Sequence, residues 1–299
     1  MSHRVSVSAP GKINIFFKVG ALQENGYHEV LSVYQALDVR ETVSVTASDD
    51  WSVSVSGDLS EEQIAAVPTG EENLVVRAAK TIADLAGIAK PHPISFEITK
   101  NVPVAGGMGG GSADAAAALL AVDELWCTGV EGEALLKAAA QLGADIPFAL
   151  LGGTAIGVGK GDELEPIDGV QKLHWVLVPM DAGLSTPRVY AKLDEIRAAR
   201  GENPELVATP GSPVELISAL QFGDAREVAK YLHNDLQEAA VALMPELSIT
   251  MHTGLAAGAL AAMVSGSGPT VAMLAESEEA AESIANHLAF EGYIAIPTH

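Results

Sequence analysis

The sequence predicts an α+β fold, because strand-like and helix-like segments follow one another without the regular strand-helix alternation of a parallel doubly wound sheet. Residues 41–47 and 51–55 alternate between apolar and polar side chains, which is typical of half-buried strands. Residues 112–126 are mostly alanine and leucine, a composition that favours a buried helix. Composition agrees with a globular protein, since 48% of the 299 residues are hydrophobic and 19% are charged.

Further elements of the first half follow from the same patterns. Residues 5–9 and 13–19 resemble two strands of a hairpin, with a turn predicted at Pro10-Gly11. The remaining predictions are a helix over 73–86, a strand over 94–99, the helix over 112–126 capped by the Ser112 hydroxyl, and a helix over 132–142.

A glycine-rich stretch over 152–161 leads into the second half, so we place a domain boundary near residue 160 and predict two domains, 1–160 and 161–299. The second half has fewer long alternating runs and more helical patterns. Its predicted strands are 172–179, 262–264 and 270–275, and its predicted helices are 187–200, 213–220, 225–232, 235–243 and 277–287.

Charge and cysteine content exclude several classes of protein. Cys127 is the single cysteine, so neither an intramolecular disulfide nor a cysteine-based metal cluster is possible. The formal net charge of -22 disfavours nucleic acid and anionic membranes as partners. No apolar run approaches the roughly 20 residues of a membrane span. We therefore expect a cytoplasmic protein, as a monomer or a homodimer, whose polyanionic ligands need local positive groups.

A glycine cluster supplies such groups. Five of the six residues 106–111 are glycine, so the backbone is free to direct its N–H groups towards an anion. The following helix adds the partial positive charge of its N-terminus, and the Ser112 hydroxyl could turn to a phosphate or to Mg²⁺. Asp114 would repel phosphate, so we expect it to face away from the ligand. The pattern predicts a phosphate-binding loop, and a flexible hinge or a tight packing site is the alternative.

Two well-known phosphate loops do not fit these residues. A Walker-type loop would end in Gly-Lys-Ser or Gly-Lys-Thr, which is missing. The dinucleotide spacing that starts at Gly107 has Ser112 in place of its third glycine. The loop therefore belongs to another class.

Three segments together resemble the GHMP kinase superfamily, which includes galactokinases, homoserine kinases and mevalonate kinases. They are Ala9-Pro-Gly-Lys-Ile-Asn14, the glycine loop, and Ser265-Gly-Ser-Gly-Pro-Thr270. The resemblance implies a two-lobed fold, with an N-terminal domain like domain 2 of ribosomal protein S5 and a ferredoxin-like C-terminal domain. In this family the active site lies in the cleft between the lobes, and the third segment packs against the phosphate loop.

Further segments resemble the branch of the superfamily that phosphorylates the 2-hydroxyl of 4-diphosphocytidyl-2-C-methyl-D-erythritol in the non-mevalonate (MEP) route to isoprenoids. The discriminating segments are Asn25-Gly-Tyr-His28 and Leu142-Gly-Ala-Asp-Ile-Pro-Phe148; Asn73-Leu-Val-Val-Arg-Ala78 and Ser185-Thr-Pro187 also match. The resemblance implies ATP as co-substrate and this cytidine compound as acceptor. Homoserine or mevalonate as acceptor, and a non-catalytic protein of the same fold that binds a nucleotide or another anion, remain alternatives.

Residue roles follow from the resemblance. Lys12 and Asp145 match the family's catalytic pair, with Asp145 as general base and Lys12 as the cation beside it; a solvated lysine and a helix-capping aspartate are the alternatives. The residues implied in substrate binding are Asn14, Tyr27, His28, Tyr34, Asp145, Thr186 and Tyr190. Tyr27 would stack on the cytosine and His28 would hydrogen-bond to it, while Tyr34 and Tyr190 would enclose it or, alternatively, belong to the core.

ATP binding is expected at the phosphate loop and at three residues outside it. The loop residues are Pro103, Val104, Ala105, Gly106, Gly107, Met108, Gly109, Gly110, Gly111, Ser112 and Ala113. Asn73, Val75 and Lys100 match the family's adenine-binding positions, although Lys100 could be an ordinary surface charge. Mg²⁺ is expected because it offsets the charge of ATP, with Ser112 as its candidate ligand and Asp114 as a weaker one.

Overall fold

The computed structural model describes residues 3–24, 26–104, 106–180, 183–203 and 206–299. They form two compact units that are not contiguous in the chain. Unit 1 contains the residues up to Lys12, Ala36–Val104 and Gly109–Gly152; unit 2 contains Ile13–Gln35, a short segment ending at Met108, and Gly153–His299. The boundary predicted near residue 160 remains a prediction, because these units reflect compactness alone.

In chain order the elements are β1 Arg4–Leu22, β2 His28–Ala47, β3 Ser52–Gly57, α1 Glu61–Ala65, α2 Leu74–Leu85, β4 Ile94–Lys100, α3 Gly110–Trp126, α4 Gly132–Leu142, α5 Ile146–Leu151, β5 Thr154–Val158, β6 Glu163–Pro166, β7 His174–Val178, α6 Thr186–Ala199, α7 Val214–Phe222, α8 Ala225–Ala229, β8 His233–Asn234, α9 Gln237–Leu243, α10 Glu246–Ala256, β9 Ala261–Val264, β10 Val271–Ala275, α11 Glu278–Phe290 and β11 Ile296–Thr298.

The sheet of unit 1 brings β4 between β3 and the second part of β2. β3 pairs with β4 in parallel, from Ser52↔Ser95 to Gly57↔Lys100. β4 pairs with β2 in antiparallel fashion, from Thr42↔Thr99 to Ala47↔Ile94. Lys100, the last residue of β4, therefore lies beside the middle of the sheet, directly before the glycine loop.

Helix α3 is the centre of unit 1. Its alanine-rich surface is buried on nearly all sides, and it packs against α2 and α5 as well as the sheet core. Small side chains allow such close approach of neighbouring helices, and a helix that is apolar all round is stable only when it is enclosed. The N-terminus of α3 is consequently held in a fixed position at the end of the glycine loop.

Unit 2 contains the first part of β2 paired with β5, β5 paired with β6, and β8 paired in parallel with β1 at Phe16↔His233. Its second sheet has the order β11-β7-β10-β9, with every neighbouring pair antiparallel. The core of unit 2 lies between these strands and the helices α6, α9, α10 and α11.

These elements confirm the α+β prediction. All the predicted helices are present, with ends within three residues of the predicted ones. Sequence patterns missed the short or glycine-flanked elements α1, α5, α10, β5, β6, β8 and β11. Among the described residues, no helix has both the length and the apolar character that crossing a membrane requires.

The predicted turn at Pro10-Gly11 is wrong, because β1 continues through both residues as one strand. A type II turn would need a left-handed glycine, and Gly11 is not among the described glycines with positive φ. Residues 9–15 are all buried, so the packing of this segment favours extended backbone over the local turn preference.

Candidate functional site

The glycine loop of unit 1 ends in a left-handed residue. Gly109 is the N-cap of α3 with φ 72°, and a Cβ atom there would lie 3.1 Å from Cγ of Lys12. Both the backbone conformation and the close side chain require glycine at this position. The predicted Ser112 cap is wrong, because α3 begins at Gly110 and no described side chain caps it. The N–H groups of its first turn are thus directed outward, as an anion site needs.

Lys12 and Asp145 lie together in unit 1. Nζ of Lys12 is 3.4 Å from Oδ2 of Asp145, and Lys12 is only 7% exposed. Asp145 directly precedes α5, yet its side chain makes no capping hydrogen bond to that helix. Neither alternative from the sequence holds, since the lysine is buried and the carboxylate faces a cation rather than the helix N-terminus.

The start of α2 lies next to the start of α3. Cδ1 of Leu74 would be 3.5 Å from a Cβ atom at Gly111. Asn73 caps α2, accepting a hydrogen bond from the Val75 N–H at 2.9 Å, and Val75 is buried. The adenine contact of these residues remains a prediction.

Lys100 is not a surface charge, which corrects the alternative that the sequence left open. It is 2% exposed, and its Nζ lies 2.5 Å from Oε1 of Glu41 and 2.8 Å from Oδ2 of Asp114. These three side chains form the Glu41–Lys100–Asp114 cluster. Asp114 is therefore turned towards Lys100 in the interior of unit 1.

Two carboxylates share one ammonium group in this cluster. Burial, and then the neighbouring Asp114 charge, raises the pKa of Glu41 to about 7. Burial also raises the pKa of Asp114, against the opposing effect of Lys100. The ordinary pKa of a glutamate carboxyl is 4.5, so Glu41 retains a proton over a pH range in which an exposed glutamate has lost it.

This shift predicts a pH dependence of stability. Because the folded chain holds a proton that the unfolded chain releases, the Glu41 contribution is complete below about pH 4.5 and is lost as the pH rises to about 7. Its full size is about 3 kcal/mol in the free energy of unfolding. Urea unfolding of the wild type and of Glu41→Gln should therefore diverge over this pH range, with the variant gaining relative stability as the pH rises.

Glu97→Gln is the matched control, because Glu97 is exposed and pairs with Arg4 at the surface. It should follow the wild type at every pH. Parallel curves for the wild type and Glu41→Gln would contradict the raised pKa of Glu41.

In unit 2, Asn14 is held in place by two serines. Its Nδ2 donates to Oγ of Ser32 at 2.7 Å, and its backbone N–H donates to Oγ of Ser265 at 3.2 Å. Asn14 is 2% exposed. The first and third sequence motifs thus meet at this asparagine.

The turn 265–270 connects β9 to β10 and is fixed from several sides. Asn234 donates through Nδ2 to the carbonyl oxygens of Val264 and Gly266, at 2.7 and 2.8 Å. The Thr270 N–H donates to the Gly106 carbonyl at 3.3 Å, and a Cβ atom on Gly107 would come within 2.9 Å of the Gly268 carbonyl oxygen. The turn therefore contacts the 106–108 part of the glycine loop, as the family resemblance implies.

Thr186 lies beside the same turn. Its hydroxyl is 2.9 Å from the hydroxyl of Ser267. Thr186 is the first residue of α6, and Ser185 is the N-cap without a side-chain capping bond.

Tyr27, His28 and Tyr190 lie in one region of unit 2. The His28 and Tyr190 rings are 5.2 Å apart, and Nε2 of His28 is 3.0 Å from Oδ1 of Asp194. A carboxylate carries no hydrogen to donate, so Nε2 of His28 must be the protonated nitrogen. Tyr27 is 60% exposed, and Nζ of Lys160 lies 4.7 Å from its ring centroid.

A cavity of about 480 Å³ opens beside Tyr27 and His28. Its remaining lining residues are Gln23, Glu29, Gly159, Lys160, Asp162 and Glu163. Tyr34 does not line it: this tyrosine is 2% exposed and packs against Gly157 and Gly161. Its predicted contact with the cytosine remains a prediction.

Sequence patterns missed three residues of these sites, Glu41, Lys160 and Asp194. Each is a single charged residue within a strand, turn or helix, with no motif around it that signals burial or a partner. Ala105 and Asn25, both within predicted motifs, lie outside the described residues. Across the described ranges, no group of histidine, cysteine, aspartate and glutamate side chains could by itself hold a metal ion.

Comparison with known proteins finds matches over both halves of the chain. Residues 73–153 match the family model of the GHMP kinases N terminal domain, and residues 216–294 match that of the GHMP kinases C terminal domain. The chain is 47% identical over 298 residues to a 4-diphosphocytidyl-2-C-methyl-D-erythritol kinase of Pseudarthrobacter chlorophenolicus, covering 99% of this chain and 92% of the relative.

Solved structures give the same result at the level of the fold. A crystal structure of 4-(cytidine 5'-diphospho)-2C-methyl-D-erythritol kinase matches with a TM-score of 0.77 and 29% identity over 98% of each chain. Mevalonate kinase of L. major in complex with R-mevalonate also matches with a TM-score of 0.77, over 99% of this chain and 96% of that one. Its 17% identity supports a common fold alone.

Proposed function

The chain belongs to the GHMP kinase family, and from this we propose that it transfers the γ-phosphoryl group of ATP to the 2-hydroxyl of 4-diphosphocytidyl-2-C-methyl-D-erythritol. The products are the 2-phosphate of that compound and ADP. The relatives at 47% identity over nearly the whole chain support this acceptor. We also propose that the protein acts in the cytoplasm, where ATP is available as co-substrate.

The observation that carries the proposal is the Lys12–Asp145 pair, with Lys12 directly against the left-handed Gly109 at the start of α3. Phosphoryl transfer depends mainly on positioning and charge stabilisation. A cation, a carboxylate and an uncapped helix N-terminus in one unit supply the required groups.

Each group has one role in the proposed reaction. The acceptor hydroxyl oxygen forms a bond to the γ-phosphorus, and the bond from that phosphorus to the β,γ-bridging oxygen breaks to release ADP. Asp145 accepts the hydroxyl proton. Lys12 stabilises the negative charge of the transferred group and keeps the neighbouring carboxylate in place. The N–H groups at Gly110 and Gly111 bind phosphate oxygens.

When bound together with ATP, Mg²⁺ would neutralise part of the negative charge of the phosphates. The protein residues fit this limited role, because Ser112 is half-buried in the first turn of α3 while Asp114 is committed to Lys100. Ser112 is the protein residue that we propose would hold Mg²⁺.

The cytidine group would bind at the cavity beside Tyr27 and His28. An exposed tyrosine ring offers a flat face for the base, and base-aromatic stacking contributes about 1–3 kcal/mol. Asp194 orients the His28 ring by accepting the hydrogen of Nε2. Tyr190, packed beside that ring, keeps it in place.

A coupled assay of ADP release tests the proposal. With Mg²⁺ and ATP, we expect turnover with 4-diphosphocytidyl-2-C-methyl-D-erythritol and none with mevalonate or homoserine. Tyr27→Ala should raise KM for the cytidine compound about tenfold or more, because a stacking face is lost, and should leave KM for ATP unchanged. Tyr231→Ala, at a tyrosine outside the cavity, serves as the matched control.

Other outcomes would identify a different function. Turnover with mevalonate or homoserine, unaffected by Tyr27→Ala, would assign the chain to another GHMP kinase activity. ATP binding without turnover on any of these acceptors would indicate a non-catalytic nucleotide-binding protein.

A further inference from the structure

The Glu41–Lys100–Asp114 cluster takes one side chain from each of three elements, β2, β4 and α3. The side chains of Glu41, Lys100 and Asp114 are 0%, 3% and 6% exposed. A ligand outside the protein therefore has no direct access to these side chains, so the adenine contact predicted for Lys100 would have to be made by its backbone. Their effect on ATP must be indirect, through the backbone that they contact.

The cluster contacts Asn101, which lies two residues before Pro103, the first residue of the phosphate loop. Oε2 of Glu41 accepts a hydrogen bond from the backbone N–H of Asn101 at 2.9 Å, and Asn101 is the first residue after β4. Nδ2 of Asn101 donates in turn to the carbonyl oxygen of Arg40 at 3.0 Å. Asn101 is thus tied to β2 by two hydrogen bonds, one to the Glu41 side chain and one to the Arg40 carbonyl oxygen.

The same cluster contacts the end of the loop. A Cβ atom on Gly110 would lie 3.0 Å from Oε1 of Glu41 and 3.3 Å from Nζ of Lys100. Gly110 is the first residue of α3, and its N–H belongs to the turn that faces the phosphates. One turn further along the helix, Asp114 binds Lys100 at 2.8 Å. Glu41 therefore binds the backbone N–H of Asn101 through one oxygen, while its other oxygen lies so close to Gly110 that a side chain there would meet it.

The helices packed on α3 add no competing charge. The helices packed on α3 are α2 and α5, and α5 has no charged residue. The charged residues of α2 are Arg77, Lys80 and Asp84, all on its exposed side. Within the described part of the chain, Oδ1 of Asp114 has no hydrogen-bond partner, so its carboxylate is held by Lys100 alone.

We propose that Glu41, Lys100 and Asp114 are positioning residues that fix the two ends of the phosphate loop and so set the affinity for ATP. This inference rests on the proposed function, in which the loop binds the phosphates. Glu41 holds residues 101 and 110 at a fixed separation, and Lys100 connects Glu41 to the first turns of α3 through Asp114. The geometry of the N–H groups that meet the phosphates depends on this separation.

A positioning role predicts a specific kinetic signature. Misplaced N–H groups weaken ATP binding, whereas Lys12 and Asp145 keep their places and act normally once ATP is bound. Glu41→Ala removes the contacts to both loop ends, so KM for ATP should rise about tenfold to a hundredfold. The kcat at saturating ATP should stay within about threefold of the wild type.

Glu41→Gln separates hydrogen bonding from charge. Its amide oxygen can still accept the Asn101 N–H, but its NH2 group then faces Nζ of Lys100, so KM for ATP should rise by less than in Glu41→Ala. Glu97→Ala is the control, because Glu97 is an exposed glutamate on β4, away from the loop. It should leave KM for ATP unchanged.

Direct ATP binding, measured by titration calorimetry without any acceptor, tests this inference separately from the proposed function. Failure of the cytidine compound as acceptor would overturn the function and leave a loss of ATP affinity in Glu41→Ala intact. ATP binding by Glu41→Ala with the affinity of the wild type would overturn the positioning role. The positioning role would also be overturned if Glu41→Ala and Glu41→Gln lost both kcat and ATP affinity to the same extent as each other.

Circular dichroism establishes whether Glu41→Ala is folded before any kinetic comparison. If it is unfolded, Glu41→Asp replaces it, because a carboxylate one methylene shorter cannot span the contacts to Asn101 and Gly110 together. Its KM for ATP should rise while kcat is retained. An unchanged KM in this variant would overturn the positioning role.

Discussion

Replacing Asp145 by asparagine is expected to lower kcat about 10²- to 10⁴-fold, because the amide cannot accept the proton of the acceptor hydroxyl. ATP affinity should change little, since the N–H groups proposed to bind phosphate belong to α3 and not to Asp145. Stability should fall by less than about 1 kcal/mol, because the side chain is one-third exposed and forms no cap on α5. Coupled ADP release and thermal unfolding measure these two effects separately.

Asp123→Asn is the control, because we expect it to lower stability and to leave kcat unchanged. This half-buried aspartate in α3 accepts hydrogen bonds from the Thr128 hydroxyl and the Val130 N–H, and both are structural. The variant should lose about 1 kcal/mol of stability with kcat unchanged. If Asp145→Asn retained most of its turnover, Asp145 could not be the general base.

The glycine loop before α3 could be predicted because its signal is local, whereas the Lys12–Asp145 pair was expected from the family resemblance. A cluster of glycines before a small-residue helix allows very few backbone structures, and two flanking motifs mark the lysine and the aspartate. The position of the helix start was wrong by two residues, since Gly109 in a left-handed conformation caps α3 before Ser112 is reached. Local capping preference favours serine, but the loop geometry next to Lys12 requires glycine.

The prediction of a turn at Pro10-Gly11 was wrong for a related reason. Proline and glycine favour a turn in an isolated segment, whereas in β1 both residues are buried and extended. The energy of packing a continuous buried strand exceeds a local turn preference. Sequence patterns report the local turn preference and not the energy of packing a buried strand.

Buried charge is the feature that sequence patterns could not predict. A lysine at a strand end is exposed in most proteins, and nothing next to Lys100 in the chain signals otherwise. Its partners Glu41 and Asp114 come from distant parts of the sequence and meet only after the sheet and α3 have packed. The pairing of His28 with Asp194 on α6 has the same origin.

Lys100→Met is expected to destabilise the protein by about 3–5 kcal/mol near pH 8, because it leaves two buried carboxylates without a cation. Methionine has a similar length, so the loss reflects charge more than volume. The cost should shrink as the pH falls, since protonated Glu41 and Asp114 no longer need the ammonium group. Urea unfolding near pH 8 and near pH 5 measures this difference.

Lys80→Met is the matched control, because Lys80 pairs with Glu71 on the exposed surface of unit 1. Exposed pairs contribute about 0–1 kcal/mol, so this variant should remain close to the wild type at both pH values. Adding Glu41→Gln to Lys100→Met should recover part of the lost stability, since only one buried carboxylate then lacks a partner. Equal costs for Lys100→Met and Lys80→Met would mean that the buried carboxylates are already neutral without Lys100, and that the cluster is held together by hydrogen bonds instead of charge.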